Sequence, residues 1–227
     1  MGDLDATHLT TRQLNIRIKE MVQRGEEVRI LNPQARHNLA VGILLPAKIT
    51  FEGSVGYFCS SLMDGCEVEI HGNAGWALGD NLMNGKISLT GNAGASVAST
   101  IRGGEIFVGG NAGARSGISM KGGTLIINGN AGFVTGFMMQ KGTIVVNGDV
   151  GEGVGDSMYE GAIYVGGEIG SLGSDAIVEE PSEDDLLWIW GSLERNGITE
   201  RKPFKKIVSA KRLYQFDSLE RHEKRVI

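Results

Sequence analysis

A glycine motif returns at one constant interval through the middle of the chain, and this regular spacing restricts the fold more than any other feature of the sequence. The pattern Gly-x-x-Gly begins, without insertion or deletion, at Gly53, Gly72, Gly91, Gly110, Gly129, Gly148 and Gly167, which is a 19-residue period. Thirteen positions after five of these starts lies a second glycine column, formed by Gly85, Gly104, Gly123, Gly142 and Gly161. A fixed period of this length is typical of an architecture in which each unit packs on its neighbours.

Apolar residues recur with the same period, so residues at one position of successive units form a column. Two of these apolar columns lie two positions apart, which places both on one face of a strand. They contain Val68, Ile87, Ile106, Leu125, Ile144 and Ile163, and then Ile70, Leu89, Val108, Ile127, Val146 and Val165. A third column of small or branched residues runs from Val55 to Ile169, and a fourth of larger residues runs from Met63 to Met158. Together the columns supply enough inward side chains for a continuous core.

A 19-residue unit with short strands, glycine corners and no helical period predicts a mainly β chain. We expect a single-stranded right-handed parallel β-helix of about seven coils, closed by helical caps at both ends. Leucine-rich repeats need a leucine–asparagine signature, which the unit lacks. Glycine suits sharp turns and positive φ, so we interpret the glycines as corners and not as a phosphate loop. Coil-to-coil hydrogen bonds are expected from a column of stacked amides at Asn73, Asn92, Asn111 and Asn130.

Three segments are predicted. Residues 1–33 form an N-terminal helix and strand cap, residues 34–178 form the β-helix, and residues 179–227 form a C-terminal helix and a partner-docking tail. An irregular first coil covers residues 34–52, because counting one period back places Leu44, Ile49 and Phe51 in the apolar columns.

Both flanking segments contain helix signals. Thr10 and Gln13 can form a capping box, and the apolar face that follows consists of Leu14, Ile18, Met21 and Val22. Ser182 can cap a second helix with Leu186, Ile189, Trp190 and Leu193 on its apolar face and with Gly197 as its terminator. The tail mixes basic residues with Phe204, Ile207, Val208, Leu213, Tyr214 and Phe216, so we expect it to lie against the rod or a partner.

Composition narrows the class of protein. The chain has 227 residues and a net charge of −5, which does not favour binding to a nucleic-acid backbone. It has no apolar run of membrane-spanning length and no signal-peptide pattern, and its two cysteines lack metal-type spacing. We therefore expect a cytoplasmic protein without nucleic-acid or membrane partners.

The sequence predicts no catalytic, cofactor-binding or metal-ligating residue. The stretch from Gly79 to Lys86 and Ile87 has one residue too many for a phosphate-binding loop and lacks its hydroxyl. The histidines are scattered along the chain at His8, His37, His71 and His222. We expect His71 in an exposed turn, and His37 could contact a partner. Neither Cys59 nor Cys66 has a base beside it in the sequence.

The repeated GNAG unit resembles the glycine-rich β-helix at the C-terminal end of the glutamate synthase large subunit, over residues 34 to about 178. The stretches RILNPQARHNLAVGI and EGSVGYFCSSLMDGCEVEIHGNAGWALGDNLMNGKI are similar to stand-alone versions of this module, such as those of three-chain N-methylglutamate synthases. The tail KPFKKIVSAKRLYQF resembles the end of the large subunit. A related module occurs in a subunit of formylmethanofuran dehydrogenase.

The resemblance implies a non-catalytic subunit of a glutamate-synthase-like flavoenzyme, with two partners. One partner is a glutamine-amidotransferase-like subunit, and the other is a synthase-like subunit that holds FMN and an iron–sulfur cluster. Since the chain has no cysteine directly after Met1 and no cluster-type cysteine set, the residues of those sites are not carried over to it.

Two alternatives remain open. One is a β-helix subunit of a formylmethanofuran dehydrogenase. The other is an autonomous binding module, which would need an exposed aromatic or carboxylate ladder along the rod. The sequence predicts no such ladder, because the outward aromatics Trp76, Phe107 and Tyr164 are isolated from one another in the repeat.

Overall fold

The computed structural model describes residues 2–211, so Leu213, Tyr214, Phe216 and His222 lie outside the described residues. The elements are β1 (Gly2–Asp5), α1 (Thr11–Gln23), β2 (Val28–Leu31), β3 (Lys48–Glu52), β4 (Asp64–Ile70), β5 (Asn84–Leu89), β6 (Glu105–Val108), β7 (Lys121–Ile127), β8 (Lys141–Val146), β9 (Ala162–Val165), β10 (Ala176–Glu179), α2 (Glu183–Glu194) and β11 (Lys205–Ser209). Neither described helix has the length and hydrophobicity needed to cross a bilayer.

The strands form a single sheet in the order β1-β2-β3-β4-β5-β6-β7-β8-β9-β11-β10. From β1 to β9 every neighbouring pair is parallel, and equivalent residues such as Ile49, Val68 and Ile87 lie in register. A second contact between coils is a ladder of single bridges at the GNAG corner, from Val55 through Ala74 and on to Ile169. The predicted parallel β-helix is therefore confirmed.

The predicted core columns are also confirmed. All residues of the two strand columns are buried, as are Met63, Leu82, Ile101, Met120, Met139 and Met158. A fifth inward column was not predicted from the sequence. It contains Cys59, Leu78, Val97, Ser116, Thr135 and Val154, each with no exposed surface. Two of its members are polar, and their hydroxyls donate to the carbonyls of Gly113 and Gly132 within their own coils. This mixed composition concealed the column.

The prediction for Leu44 was wrong. Its side chain is 67% exposed, and Ile43 takes the inward position with 3% exposure. The cause is one additional residue in the first coil. The backbone N–H of Ser60 donates to the carbonyl of Leu39. The equivalent bond in the next coil, from Gly79 N–H to the carbonyl of Cys59, spans one residue fewer. Ile49 and Phe51 lie after this insertion and are buried as predicted.

The two glycine columns are required for different reasons. Gly123 and its equivalents Gly85, Gly104, Gly142 and Gly161 have positive φ, as expected for corners. From Gly72 onward the first glycine of the motif has no positive φ; instead, a Cβ there would collide with the preceding coil. At Gly91 that Cβ would meet the carbonyl of Gly72 and lie 2.5 Å from Asn73 Oδ1.

Opposite the strands, each coil contains a six-residue turn segment that we call the arm. The arms comprise residues 37–42, 57–62, 76–81, 95–100, 114–119, 133–138 and 152–157. Alternate arm residues have positive φ even where they are not glycine, as at Phe58 (57°), Ser60 (56°) and Leu62 (57°). Their N–H groups donate to neighbouring coils, for example from Phe58 to the carbonyl of Trp76 at 2.8 Å. These bonds offset the cost of the left-handed conformation.

The N-terminal segment continues the sheet and closes the core at that end. The buried face of α1 consists of Leu14, Ile18, Met21 and Val22, which belong to the same core cluster as the coils. Its predicted capping box, formed by Thr10 and Gln13, is confirmed. Asn15 also binds the first coil, since its Nδ2 donates to the carbonyl of Asn38 (2.7 Å) and its Oδ1 accepts from Ala40 N–H (2.8 Å).

At the C-terminal end, strands extend the sheet beyond β9. Strand β11 pairs antiparallel with β9, and β10 then pairs with the other side of β11. Helix α2 does not lie at this end of the core but on the outward face of the sheet. It packs through Ile189 and Leu193 over the outward side chains of Ile126, Val145 and Tyr164. Its capping box at Ser182 is present, with Asp185 as the reciprocal partner.

Candidate functional site

Neither cysteine is placed for nucleophilic chemistry. Both thiols are free and buried. Burial raises the pKa of the Cys59 thiol to about 12 and that of the Cys66 thiol to about 11. Because the thiolate is the reactive form, both groups are protonated and unreactive near neutral pH.

The histidines in the described part of the chain lie apart from one another. His8 is exposed, and His37 and His71 lie on different sides of the coils. His71 Nδ1 lies 3.0 Å from Glu52 Oε2, and its Nε2 lies 3.9 Å from Glu69 Oε2. Within residues 2–211 there is no group of three or more histidine, cysteine, aspartate or glutamate side chains arranged to hold a metal ion.

The outward face of β2–β6 is charged, and most of its charges are paired across neighbouring strands. Arg29 lies 2.9 Å from Glu52, and Lys86 lies 3.1 Å from Glu105. Hydrogen bonds from His71 and then from Arg29 lower the pKa of the Glu52 carboxyl. Since Lys86 is paired with Glu105 and Gly79 belongs to an arm, the two do not form a phosphate-binding loop.

A polar network fixes α2 on the other half of the same face. Tyr164 Oη donates to Asp185 Oδ1 at 2.6 Å, and Lys206 Nζ donates to Asp185 Oδ2 at 3.0 Å. Partial burial alone would raise the pKa of Asp185, but hydrogen bonds from Tyr164, Lys206 and Ser182 outweigh it and hold that pKa well below its usual range. Burial, with the bond to Asp185, raises the pKa of Tyr164. The network connects α2, β9 and β11.

The arm side contains an aromatic stack, which corrects the prediction that Trp76 is isolated. The rings of His37 and Tyr57 are 4.3 Å apart between centroids and inclined by 21°. Tyr57 and Trp76 follow at 5.2 Å and 14°. The Tyr57 N–H donates to His37 Nδ1 at 2.8 Å, and this bond fixes the orientation of the His37 ring. The sequence concealed this stack because the longer first coil moves His37 one residue out of the 19-residue column.

The other two outward aromatics have a structural role. Phe107 and Tyr164 belong to the cluster beneath α2. The arm side is different, because large apolar side chains remain exposed there within residues 57–138. They are Tyr57, Phe58, Leu62, Trp76, Phe133 and Met138. The arm side thus differs from the second half of the sheet face, where α2 covers the apolar side chains.

These observations define the class of protein: a parallel β-helix with Gly-x-x-Gly corners, in which chemistry-bearing side chains are paired, buried or scattered throughout the described residues. The model of the GXGXG motif family matches residues 35–180, and the chain belongs to that family. This membership confirms the resemblance to the glutamate synthase β-helix.

Two known proteins are similar to parts or all of the chain. Protein GlxC of Rhizobium meliloti (strain 1021) is 38% identical over 77 residues, which are 33% of this chain and 34% of GlxC. The match thus spans about a third of that relative. A chain in the crystal structure of the formyltransferase/hydrolase complex FhcABCD from Methylorubrum extorquens, bound to methylofuran, has 21% identity and a TM-score of 0.50. That similarity covers 87% of this chain and 86% of the other, and it supports the fold.

Proposed function

We propose that this chain is a non-catalytic structural subunit of a multi-subunit glutamate-synthase-like flavoenzyme. The finer proposal is N-methylglutamate synthase, which converts glutamate and methylamine to N-methylglutamate and ammonia. The partners would be a glutamine-amidotransferase-like subunit and an FMN-binding synthase-like subunit that also carries an iron–sulfur cluster. The chain would hold these two in a fixed relation in a cytoplasmic complex.

The observation that carries this proposal is a rigid rod whose arm side keeps large apolar side chains exposed among residues 2–211. Nine parallel strands, β1 to β9, follow one another in a single continuous sheet. Core columns and hydrogen-bonded corners run through the whole length. Such a body can keep two bound chains at a constant distance, and the family membership favours glutamate-synthase-like partners.

Reconstitution from purified chains tests the proposal. We expect the isolated chain to contain no flavin and to have no turnover. Mixing it with the two partner chains should give one complex, and glutamate- and methylamine-dependent formation of N-methylglutamate should rise when the chain is added. The control is the pair of partner chains alone.

Retention of flavin absorbance by the isolated chain would contradict the proposal, as would full activity of the partner pair without it. A formylmethanofuran dehydrogenase subunit is the competing proposal. It would be selected if the chain bound a pterin-containing partner and ignored the flavoprotein.

A further inference from the structure

The aromatic stack stops at Trp76, in the middle of its column, and the next aromatic residue of that column, Phe133, lies three coils later. In the arms the position after the GNAG corner is Tyr57, Trp76, Ala95, Ala114 and then Phe133. The bridges at Ala74, Ala93, Ala112 and Ala131 keep these coils in strict register. At about 4.8 Å per coil, Trp76 and Phe133 stand roughly 14 Å apart, with two alanines between them. We call this gap the notch.

The geometry of the stack shows what the notch is shaped to receive. Within residues 2–211, the two faces of Tyr57 are covered by His37 and Trp76, whereas Trp76 has a ring in contact on one side only and is 54% exposed. Phe133 is 55% exposed at the other wall. A spacing of three coils leaves space for two flat rings at the separation seen within the stack.

An exposed cation lies beside the notch. Arg115 follows Ala114 directly, whereas Arg102 and Lys121 lie past the far end of the two alanine-containing arms, and Lys121 begins β7. All three side chains are exposed, and none forms an ion pair with any residue in the described range 2–211. This contrasts with the sheet face, where Arg29 and Lys86 are both paired. Unpaired cations of this kind complement carboxylates on a binding partner.

We propose that the notch is the anchor point of a partner subunit, which inserts two planar side chains between Trp76 and Phe133 and places a carboxylate against Arg115. This inference rests on the proposed function, because it assigns the surface through which the scaffold holds one of its two chains. An apolar centre with aromatic anchors and a charged rim is the usual arrangement of a protein interface.

A sugar-binding surface made of exposed aromatic ring faces does not fit the same features. Rings that bind sugars present their faces to the ligand, and in this stack the inner faces are used by the neighbouring rings. The open face of Trp76 borders a gap two coils wide, and Phe133 occupies the position at its other side. A polypeptide side-chain pair fills that gap, and the same partner also supplies the carboxylate.

The test measures binding of the intact chain to each of the two purified partner subunits by calorimetry. Ala114→Tyr rebuilds the missing ring from within the chain and fills the notch. Arg115→Glu reverses the charge beside it. We expect each variant to bind one of the partners about tenfold or more weakly than the unmodified chain does. Arg115→Glu should also reduce the salt dependence of binding, because it removes a favourable charge contact.

Matched controls place the same changes on other surfaces. Ser88→Tyr adds a ring on the sheet face, and Arg17→Glu reverses an exposed charge on α1. Both controls should bind like the unmodified chain. The melting temperature of every variant is compared first, and the two notch variants provide independent tests if one of them is destabilised. A further readout is acrylamide quenching of Trp76 in a Trp188→Phe, Trp190→Phe background, which should decrease when the partner binds.

The outcomes separate this inference from the proposed function. If the unmodified chain binds a partner and both notch variants bind it equally well, the notch is not the contact and the scaffold function stands. If the unmodified chain binds neither partner, both proposals fail. If the notch variants abolish self-association of the chain instead, the occupant is a second copy and the partner assignment is overturned.

Discussion

Asn111 shows how single side chains connect the coils. The backbone N–H of Asn130 donates to Asn111 Oδ1 at 2.8 Å, and the N–H of Asn111 donates to Asn92 Oδ1 at 2.7 Å. The predicted amide ladder is therefore present, with the side-chain oxygen as acceptor and the next backbone as donor. The first glycine of each motif lacks a Cβ where this amide must pass, as at Gly129, so glycine and asparagine form one device.

The ladder allows a test with a matched control. Asn111→Ala removes the acceptor for Asn130 N–H, and we expect the free energy of unfolding to fall by about 1 kcal/mol. Asn111→Asp keeps an oxygen in place, as Asp149 does when it accepts from Glu168 N–H at 2.8 Å. The aspartate variant should therefore lose much less stability in urea denaturation. Equal losses for both variants would show that the oxygen is not the stabilising group.

Gly123 tests the other kind of glycine. Its φ is +71°, and an added Cβ would lie 2.9 Å from the backbone of Gly103 and Gly104. Gly123→Val should therefore lower the free energy of unfolding by more than about 1 kcal/mol, since strain and collision act together.

The comparison variant is Gly191→Ala in α2. A Cβ there meets only Arg195 Nη1, at 3.8 Å, and alanine is the better helix former, so this change should leave stability equal or higher. Thermal unfolding measures both variants. An unchanged melting temperature for Gly123→Val would contradict the account of the corner.

At the scale of elements, α2 is held by charge as well as by apolar contact. Asp185 has a lowered pKa in the folded chain, so its contribution to stability is present above its unfolded pKa of about 3.9 and is lost as pH falls below that value. We therefore expect α2 to detach from the sheet in acid before the coils unfold.

Fluorescence can follow this detachment. Trp190 Nε1 donates to the carbonyl of Lys202 at 3.1 Å in the docked helix, so its emission reports docking in a Trp76→Phe, Trp188→Phe background. The transition should occur below about pH 4 and should be absent in Asp185→Asn, which cannot titrate. An identical acid transition in Asp185→Asn would assign it to other groups.

The sequence predicted those elements whose residues repeat in type as well as in position. The four core columns and the asparagine ladder are of this kind, while the Thr10–Gln13 capping box and the Ser182 cap were predicted from local motifs. The arm was not predicted, because residues as different as Phe58, Ala77 and Arg115 share its positive φ and inter-coil hydrogen bonds impose it. The position of α2 depends on outward residues of distant coils, such as Ile126 and Tyr164, and no local pattern specifies such pairing.

At the scale of the whole molecule, the sides of the rod differ in chemistry. The charges of the sheet face are paired in its first half and its second half is covered by α2, whereas the arm side keeps exposed rings and the unpaired Arg115 within the described residues. The aromatic stack escaped prediction because His37 belongs to the out-of-phase first coil. The Ala95 and Ala114 gap was visible in the sequence, but its meaning depends on the rings that border it.

The constant 19-residue period has a consequence for evolution. A duplication or deletion of one complete unit would leave every remaining coil in contact with an equivalent neighbour, whereas a length change within a strand or a GNAG corner would break the alignment of the columns. The separation between the two extremities can therefore change only in increments of about 4.8 Å. The number of coils therefore sets the distance over which such a molecule can hold its binding partners.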